Sequence, residues 1–266
     1  MSRLNSTRME LPIKDICAYK HIKRPYLNYA LIGVLIAVFI YQIMILKDNT
    51  ILYMLNWNLV LAGEWWRIIT HMFLHADWWV WFIPIHLVSN LYFIHLFSDN
   101  VEDAFAKNNY SRFLFIVFFL LSGIIAGTIF GISQPDVYAL GASGAISGVL
   151  GMYCILYPYA QIDVLSLKVI PVQKWEDLQE IWNSKIIYTV SAYYYLMGWF
   201  GLQIVSWWYM SGESVAYLAH IAGFVFGIGI GLTYKLILKE EVSSEFIQKL
   251  IASIKDILRK IWKNEN

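Results

Sequence analysis

The sequence predicts an all-α membrane protein whose core is a bundle of six transmembrane helices. Three observations lead to this fold class. Hydrophobic residues make up 59% of the 266 residues and charged residues only 15%, whereas soluble domains have about 25% charged residues. Six stretches are mostly apolar over about the 20 residues that a membrane helix needs. Lysine and arginine are concentrated in alternate connections between these stretches, as expected for a membrane bundle with a fixed orientation.

The six predicted spans follow one another closely enough to form one membrane domain over residues 26–238. The tails would then be residues 1–25 and residues 239–266. The second and fourth spans are the least apolar, because they contain histidine, asparagine, serine and several glycines. In chain order the spans cover residues 26–46, 79–98, 113–133, 142–159, 186–210 and 216–238.

The distribution of basic residues predicts that both chain ends lie in the cytoplasm. With that orientation, only Lys47 and Arg67 of the 20 Lys and Arg residues fall on the outer side. The second, fourth and sixth helices then all run from outside to inside. Residues near the start of any of these three helices are therefore expected at similar depth, close to the outer face.

Composition also limits the other functions. A net charge of +1 argues against nucleic-acid binding, because such proteins present strongly basic surfaces. Cys17 and Cys154 give neither a disulfide framework nor the spacing of a metal site. Residues 244–263 have apolar residues on one side and basic residues on the other. They predict an amphipathic helix on the anionic inner leaflet, with contact to the protein's own inner loops as the alternative.

Polar residues within spans are costly and mark functional candidates. His86 and Asn90 are four residues apart and so share one face of the second helix. Ser143 opens the fourth helix, and His220 lies about one turn into the sixth. All four belong to the outer parts of helices with the same direction, so they are predicted to converge on one small volume.

Glycine spacing would allow that convergence. Gly144 and Gly148 form a GxxxG pattern, and Gly223, Gly227 and Gly231 extend such a pattern on the sixth helix. Small residues at this spacing let two helix backbones approach closely. GxxxG alone is a weak signal that usually reflects helix packing, but both runs begin beside the candidate serine and histidine.

These residue types favour nucleophilic catalysis by a serine and a histidine. A histidine must lie within about 3 Å of the serine hydroxyl to accept its proton. No Asp or Glu lies in the outer half of the second, fourth or sixth helix, so a Ser–His dyad is expected rather than a triad. The side chains of His86 and Asn90 and the backbone N–H of Ser143 could bind the developing oxyanion. The start of the fourth helix would add a favourable dipole.

The chain resembles the rhomboid family of intramembrane serine proteases, through four motifs in the family's order. The loop sequence GEWWRIITHMFLHA resembles the family's Trp-Arg loop. HLVSN, GASG and AHIAGFVFG match the patterns HxxxN, GxSG and AHxxGxxxG. DNVEDAF, after the second helix, is also similar to the family. The resemblance covers roughly residues 28–236, and the ordered set is much more specific than any one motif.

The resemblance implies cleavage of single-span transmembrane substrates near the outer face of a prokaryotic cell membrane. Ser143 would be the nucleophile and His220 the general base and acid, with His86, Asn90 and the Ser143 amide at the oxyanion. The loop between the first two helices would be partly embedded in the membrane. No metal or organic cofactor is implied. Residues expected to support the site are Arg67, Gly141, Gly144, Gly148, Gly223 and Gly227.

The chain departs from the family in three places. The link ADWWVWFIPI, residues 76–85, is long and aromatic, and residues 160–186 form a long inner loop. Ser147 stands where some members carry an aromatic residue that supports the histidine ring, so Tyr217 or Trp207 is expected to take over that contact. His71 and His75 have metal-ligand spacing, but no Glu follows His71, so loop packing is the favoured interpretation.

Three alternatives to this assignment remain. Ser147 is the rival nucleophile, although a serine in a span commonly bonds back to its own helix. A catalytically weak relative could bind membrane clients without cutting them, but such relatives typically lose the serine or the histidine. A channel would require polar groups along the full span, whereas here they cluster near one end.

Overall fold

The computed structural model describes residues 8–16, 24–77, 79–80, 83–106, 112–168, 175–209 and 215–238. Cys17 and the predicted amphipathic tail helix lie outside the described residues. Helical segments occur in each of the six predicted spans. Their α-helical parts are α1 (Tyr26–Tyr41), α4 (Ile85–Phe93) with α5 (Asp99–Phe105), α6 (Leu114–Ser133), α7 (Ser143–Leu156), α9 (Ala192–Tyr209) and α10 (Tyr217–Leu238).

Three described helical segments are long and apolar enough to cross a membrane by length and composition. They are Tyr26–Leu52, Leu114–Ser133 and Tyr217–Leu236. The first includes α1 and the π-helical and 3₁₀ turns that follow it. α7 is apolar but shorter, at 14 residues. The structure is therefore mostly helical, and the count of six spans stays a prediction.

The prediction of an all-α protein is confirmed only as a mostly helical structure, because the chain also forms a three-stranded antiparallel sheet. Strand β1 (Arg8–Ile16) pairs with β4 (Gln161–Lys168), which pairs with β5 (Ile186–Ser191). The predicted fifth span therefore begins six residues late, at Ala192. The segment IIYTVS is rich in β-branched and aromatic residues, which favour a strand. The sheet also explains the length of the loop at residues 160–186, which contains β4 and the short helix α8 (Trp175–Asn183) and ends where β5 begins.

Side-chain bonds fasten this sheet to one end of the bundle. Within the sheet, Arg8 of β1 donates from Nε to Ser166 Oγ of β4 at 2.7 Å, and two further bonds join the sheet to the bundle. Asn100 on α5 donates to the Asp15 carboxylate at 2.6 Å, and the Tyr92 hydroxyl donates to the Pro12 carbonyl. The N-terminal strand and the loop between α7 and α9 therefore share the end of the bundle opposite to Ser143.

The second predicted helix also starts later than expected, at Ile85 rather than residue 79. Two-residue strands β2 (Trp79–Val80) and β3 (Ile83–Pro84) form a hairpin in its place. Pro84 is the N-cap residue of α4. Proline is tolerated at the start of a helix because the backbone N–H that it lacks would have no acceptor within the helix. The helical run then continues through a π-helical turn and α5 to Phe105.

A buried ion pair joins the ends of three helices at the sheet side. The Glu102 carboxylate accepts the backbone N–H of Asn28 at 2.7 Å and pairs with Arg112 at 2.8 Å. The Arg112 guanidinium also stacks over the Tyr26 ring at 4.0 Å. DNVEDAF thus contributes a structural tie between α1, α5 and the segment before α6.

α7 is the central helix of the bundle. All its residues after Ser143 are buried, and α10 and α6 pack closely against it. Phe97 packs edge-on against Tyr153 of α7, with ring centroids 5.1 Å apart. The apolar composition of α7 therefore serves contacts within the protein, and this helix carries Ser143 at its exposed end.

Candidate active site

The turn before α7 requires a glycine. Gly141 has a φ of +126°, a backbone conformation that residues other than glycine rarely adopt. Its N–H donates to the His71 carbonyl at 2.9 Å, and a β-carbon at this position would lie 3.0 Å from the His86 ring. The turn ends at Ser143, so its half-buried hydroxyl lies at the start of the central helix.

Ser143 and His220 are within hydrogen-bond distance. The Ser143 Oγ lies 2.8 Å from the His220 Nε2. His220 is in the first turn of α10, which begins at Tyr217. Glycines make this approach feasible, because a β-carbon on Gly223 would overlap the Gly144 carbonyl of α7. The geometry meets the distance that proton transfer between the two side chains requires.

The other imidazole nitrogen of His220 contacts Gln203 on α9. The His220 Nδ1 and the Gln203 Oε1 are 2.8 Å apart. Sequence reasoning missed this residue and looked for aromatic support instead. The sequence does hold a signal: Gln203 is the one amide side chain in the mostly aromatic and apolar run AYYYLMGWFGLQIVSWWY, and a polar group within a span is a functional candidate.

Aromatic rings also pack against the histidine. Tyr217 meets the His220 ring edge-on, with centroids 6.5 Å apart, and Trp199 lies at 6.2 Å with a tilt of 33°. Tyr217 thus occupies the position expected for a supporting ring. Trp199, two turns before Trp207 on α9, provides the indole beside the imidazole.

His86 has a defined tautomer in this structure. Its Nδ1 accepts the Ala76 backbone N–H at 3.0 Å. A neutral imidazole that accepts at one nitrogen carries its proton on the other, so the Nε2 of His86 is a donor. This nitrogen and the adjacent Cε1 would each lie 3.0 Å from a β-carbon on Gly141, so this edge of the ring is close to that residue.

Asn90 lies one turn further along α4 and is 5% exposed. Its Nδ2 donates to the His86 carbonyl at 2.9 Å, which leaves the second amide hydrogen for another acceptor. The structure therefore brings both members of the HLVSN motif to the same region as the Ser143–His220 pair.

One cavity joins these side chains. Its volume is about 1080 Å³, and it is lined by Ser143, His220, His86, Asn90, Gln203 and Ser147, among others. Its lining also includes the loop residues His75 to Asp77, Phe93 of α4 and Leu150 of α7. A cavity of this size accommodates a short peptide segment next to the serine hydroxyl.

Arg67 lies outside this cavity and orders the loop between α1 and α4. Its buried guanidinium donates to the carbonyls of Ile51 and Met54, each at 2.7 Å. It also pairs with Glu64 at 2.6 Å. Short helices α2 (Trp57–Leu61) and α3 (Arg67–Thr70) form the rest of this loop.

The loop histidines have structural contacts. The His71 Nδ1 lies 2.9 Å from the Arg67 carbonyl, and burial lowers the pKa of His71 to about 4. The backbone of His75 is held by the Gln42 amide, which accepts its N–H and donates to its carbonyl. Within the described ranges, no group of three or more His, Cys, Asp or Glu side chains is arranged to hold a metal ion.

The hydroxyl of Ser147 bonds within its own helix and not to the imidazole, whose Nε2 faces Ser143. Its Oγ donates to the Ser143 carbonyl at 2.7 Å, and the side chain is 1% exposed. The hydroxyl is therefore bound within its own helix, as expected for a serine in an apolar helix.

Comparison with known proteins identifies the family. A family model described as the Rhomboid domain matches residues 62–236, more than half of the chain. The Bacillus subtilis (strain 168) protein named "Putative rhomboid protease YdcA" is 38% identical over 103 residues, covering 38% of this chain and 46% of that protein. The Arabidopsis thaliana "RHOMBOID-like protein 6, mitochondrial" is 33% identical over 99 residues, covering 36% and 28%. The chain spans less than half the length of each of these two relatives. With its match to the family model and its long apolar helices, this chain is an integral membrane protein that belongs to the rhomboid family.

Proposed function

We propose that this protein is an intramembrane serine endopeptidase that cleaves single-span transmembrane proteins by a Ser143–His220 dyad. The observation that carries the proposal is the 2.8 Å contact between the Ser143 Oγ and the His220 Nε2 inside the cavity. Membership of the rhomboid family supports the same activity.

The reaction follows from the two side chains. The Nε2 of His220 accepts the hydroxyl proton while the Ser143 Oγ attacks the scissile carbonyl carbon. The resulting imidazolium donates that proton to the leaving amine, and an acyl-enzyme remains on Ser143. A water molecule then gives its proton to His220, attacks the ester, and releases the new carboxyl terminus as Ser143 regains its proton.

The negative charge that develops on the carbonyl oxygen needs hydrogen-bond donors. We propose the Nε2–H of His86, the second amide hydrogen of Asn90 and the backbone N–H of Ser143. The His86 tautomer supports this role, because its Nδ1 is already occupied by the Ala76 N–H. The N-terminus of α7 carries a partial positive charge, which would also stabilise the negative charge on the oxygen. Donors that are fixed in advance stabilise a transition state without reorganisation.

The proposed membrane arrangement has six crossing helices within residues 26–238, with the loop around Arg67 partly embedded. Both chain ends would be cytoplasmic, in residues 1–25 and 239–266, with the candidate site toward the outer face of a prokaryotic cell membrane. The positions of basic residues support this orientation. β1 in the N-terminal tail pairs with β4 in the loop between α7 and α9. This pairing is compatible with the proposed orientation, in which both segments lie on the cytoplasmic side.

A cleavage assay in membranes tests the proposal. The wild type should cut a model single-span substrate near its outer end, and Ser143→Ala and His220→Ala should each lose at least about 1000-fold in rate. Thr233→Ala is a matched control, since this exposed hydroxyl donates within α10 to the Gly229 carbonyl and its loss should leave the rate unchanged. Full activity in Ser143→Ala would overturn the proposal. A wild type that binds single-span proteins without cutting them would favour the client-binding alternative.

A further inference from the structure

We infer that Gln203 is a positioning residue that fixes the tautomer of His220, an inference that rests on the proposed function of the dyad. The imidazole of His220 is held from both sides, with Gln203 Oε1 at 2.8 Å from Nδ1 and Ser143 Oγ at 2.8 Å from Nε2. The catalytic unit is thus a line of three side chains, Ser143, His220 and Gln203, contributed by α7, α10 and α9.

The proton distribution along this line follows from the amide oxygen. An amide oxygen only accepts, so its partner Nδ1 must carry the single proton of the neutral imidazole. The lone pair of Nε2 then faces the Ser143 hydroxyl and can accept its proton. If the amide were turned so that its NH₂ faced the ring, Nδ1 would become the acceptor and Nε2 would no longer serve as a base.

Gln203 therefore does in neutral form what a carboxylate does in a charged triad. It orients the ring and selects the tautomer, but it adds no negative charge to a buried site, where an uncompensated charge is costly. Among the described residues, the two ring nitrogens of His220 face Gln203 and Ser143 and not an Asp or Glu. The rings of Trp199 and Tyr217 pack against the imidazole and restrain its position. Within the described part of the chain, Gln203 is the one contact that distinguishes one ring nitrogen from the other.

The test uses two substitutions at Gln203 in the full-length protein in membranes. Gln203→Met keeps the length of the side chain but removes the acceptor. It should lower kcat about tenfold or more with little change in KM, because the residue acts on the base. Gln161→Met, at an exposed residue of β4, is the control for the same substitution and should leave kcat unchanged.

Gln203→Glu keeps the acceptor and adds a charge. It should restore most of the kcat lost in Gln203→Met, and should move the acid limb of the pH–rate profile to higher pH by about one unit, because a carboxylate stabilises the imidazolium. Among the described residues, the ionisable groups with a stated interaction with the ring are Tyr217 on α10 and His86 on α4. The same cavity is also lined by Lys47, Asp48, His75, Asp77 and Tyr138. They are unchanged, so the shift reports on position 203.

The results separate this inference from the proposed function. Wild-type kcat in Gln203→Met, or a pH–rate profile of Gln203→Glu identical to wild type, would overturn the role of Gln203 while Ser143→Ala remained inactive. Activity in Ser143→Ala would instead overturn the dyad. Thermal unfolding of each variant distinguishes a loss of kcat from a loss of folded protein, and normal unfolding is expected for all of them.

Discussion

Gly227 of α10 lies directly against the backbone of Gly148 of α7. A β-carbon added at Gly227 would overlap the Gly148 carbonyl oxygen, and the Met152 backbone nitrogen would be only 2.9 Å away. The neighbouring pair, Gly223 and Gly144, is equally close. Both contacts involve backbone atoms that cannot move independently of their helices. The close spacing of α7 and α10 therefore requires glycine, which has no β-carbon, at these positions.

Gly227→Ala should therefore separate the two helices and move His220 away from Ser143. We expect at least a tenfold lower cleavage rate and a lower melting temperature, because overpacking a tight interface costs about 1–3 kcal/mol. The measurement is the cleavage rate together with thermal unfolding in detergent. Gly229→Ala is the matched control, since a β-carbon there meets no atom within 4 Å. Equal behaviour of the two variants would contradict the proposed role of the glycine contact.

Much of this site could be predicted from the sequence because membrane helices restrict the geometry. Once His86, Ser143 and His220 are assigned to the starts of helices with the same direction, a common depth follows. The glycine spacing then indicates which helices can approach. The common depth and the helix pairing both follow from the sequence alone. In the structure, these three residues line one cavity.

The remaining features depend on contacts that no single segment specifies. The strand β1 forms only because Arg8 and the backbone of residues 8–16 find a partner in β4, more than 140 residues later. The role inferred for Gln203 on α9 depends on its contact with the His220 ring, which belongs to α10. The sequence shows an isolated polar residue, but the rotation of α9 decides whether it faces lipid or His220.

Arg67→Lys should destabilise the protein although the charge is kept. Three groups depend on the fork of the guanidinium: the carbonyls of Ile51 and Met54 and the Glu64 carboxylate. A lysine ammonium cannot reach all of them in that geometry. We expect a loss of about 1–3 kcal/mol in the free energy of unfolding, measured by thermal or denaturant unfolding in detergent. A melting temperature indistinguishable from wild type would contradict this structural role.

Stability should fall as the pH is lowered from about 6.5 toward 4. Burial lowers the pKa of His71 to about 4 and that of His75 to about 3, against 6.5 for an ordinary histidine. The unfolded chain thus binds protons that the folded chain does not, so folding is progressively disfavoured in this interval. Each buried histidine adds up to about 1.4 kcal/mol per pH unit. The melting temperature between pH 4 and 7 measures the effect.

His75→Phe should reduce this pH dependence. Among the described residues, neither ring nitrogen of His75 has a hydrogen-bond partner, so a phenyl ring can occupy the same buried volume without leaving a described polar atom unsatisfied. The exposed His95→Gln is the control for removing one histidine. A pH dependence in His75→Phe as steep as in wild type would rule out His75 as a contributor.

The most direct test of the central claim is the site of covalent labelling by a fluorophosphonate, which reacts with an activated serine. Mass spectrometry of the labelled protein would locate the adduct in wild type, Ser143→Ala and Ser147→Ala. Ser143 lies against His220, whereas Ser147 bonds back to its own helix. We predict an adduct on Ser143 in wild type and Ser147→Ala and none in Ser143→Ala. An adduct on Ser147, or labelling that persists in Ser143→Ala, would contradict the assignment of Ser143 as the nucleophile.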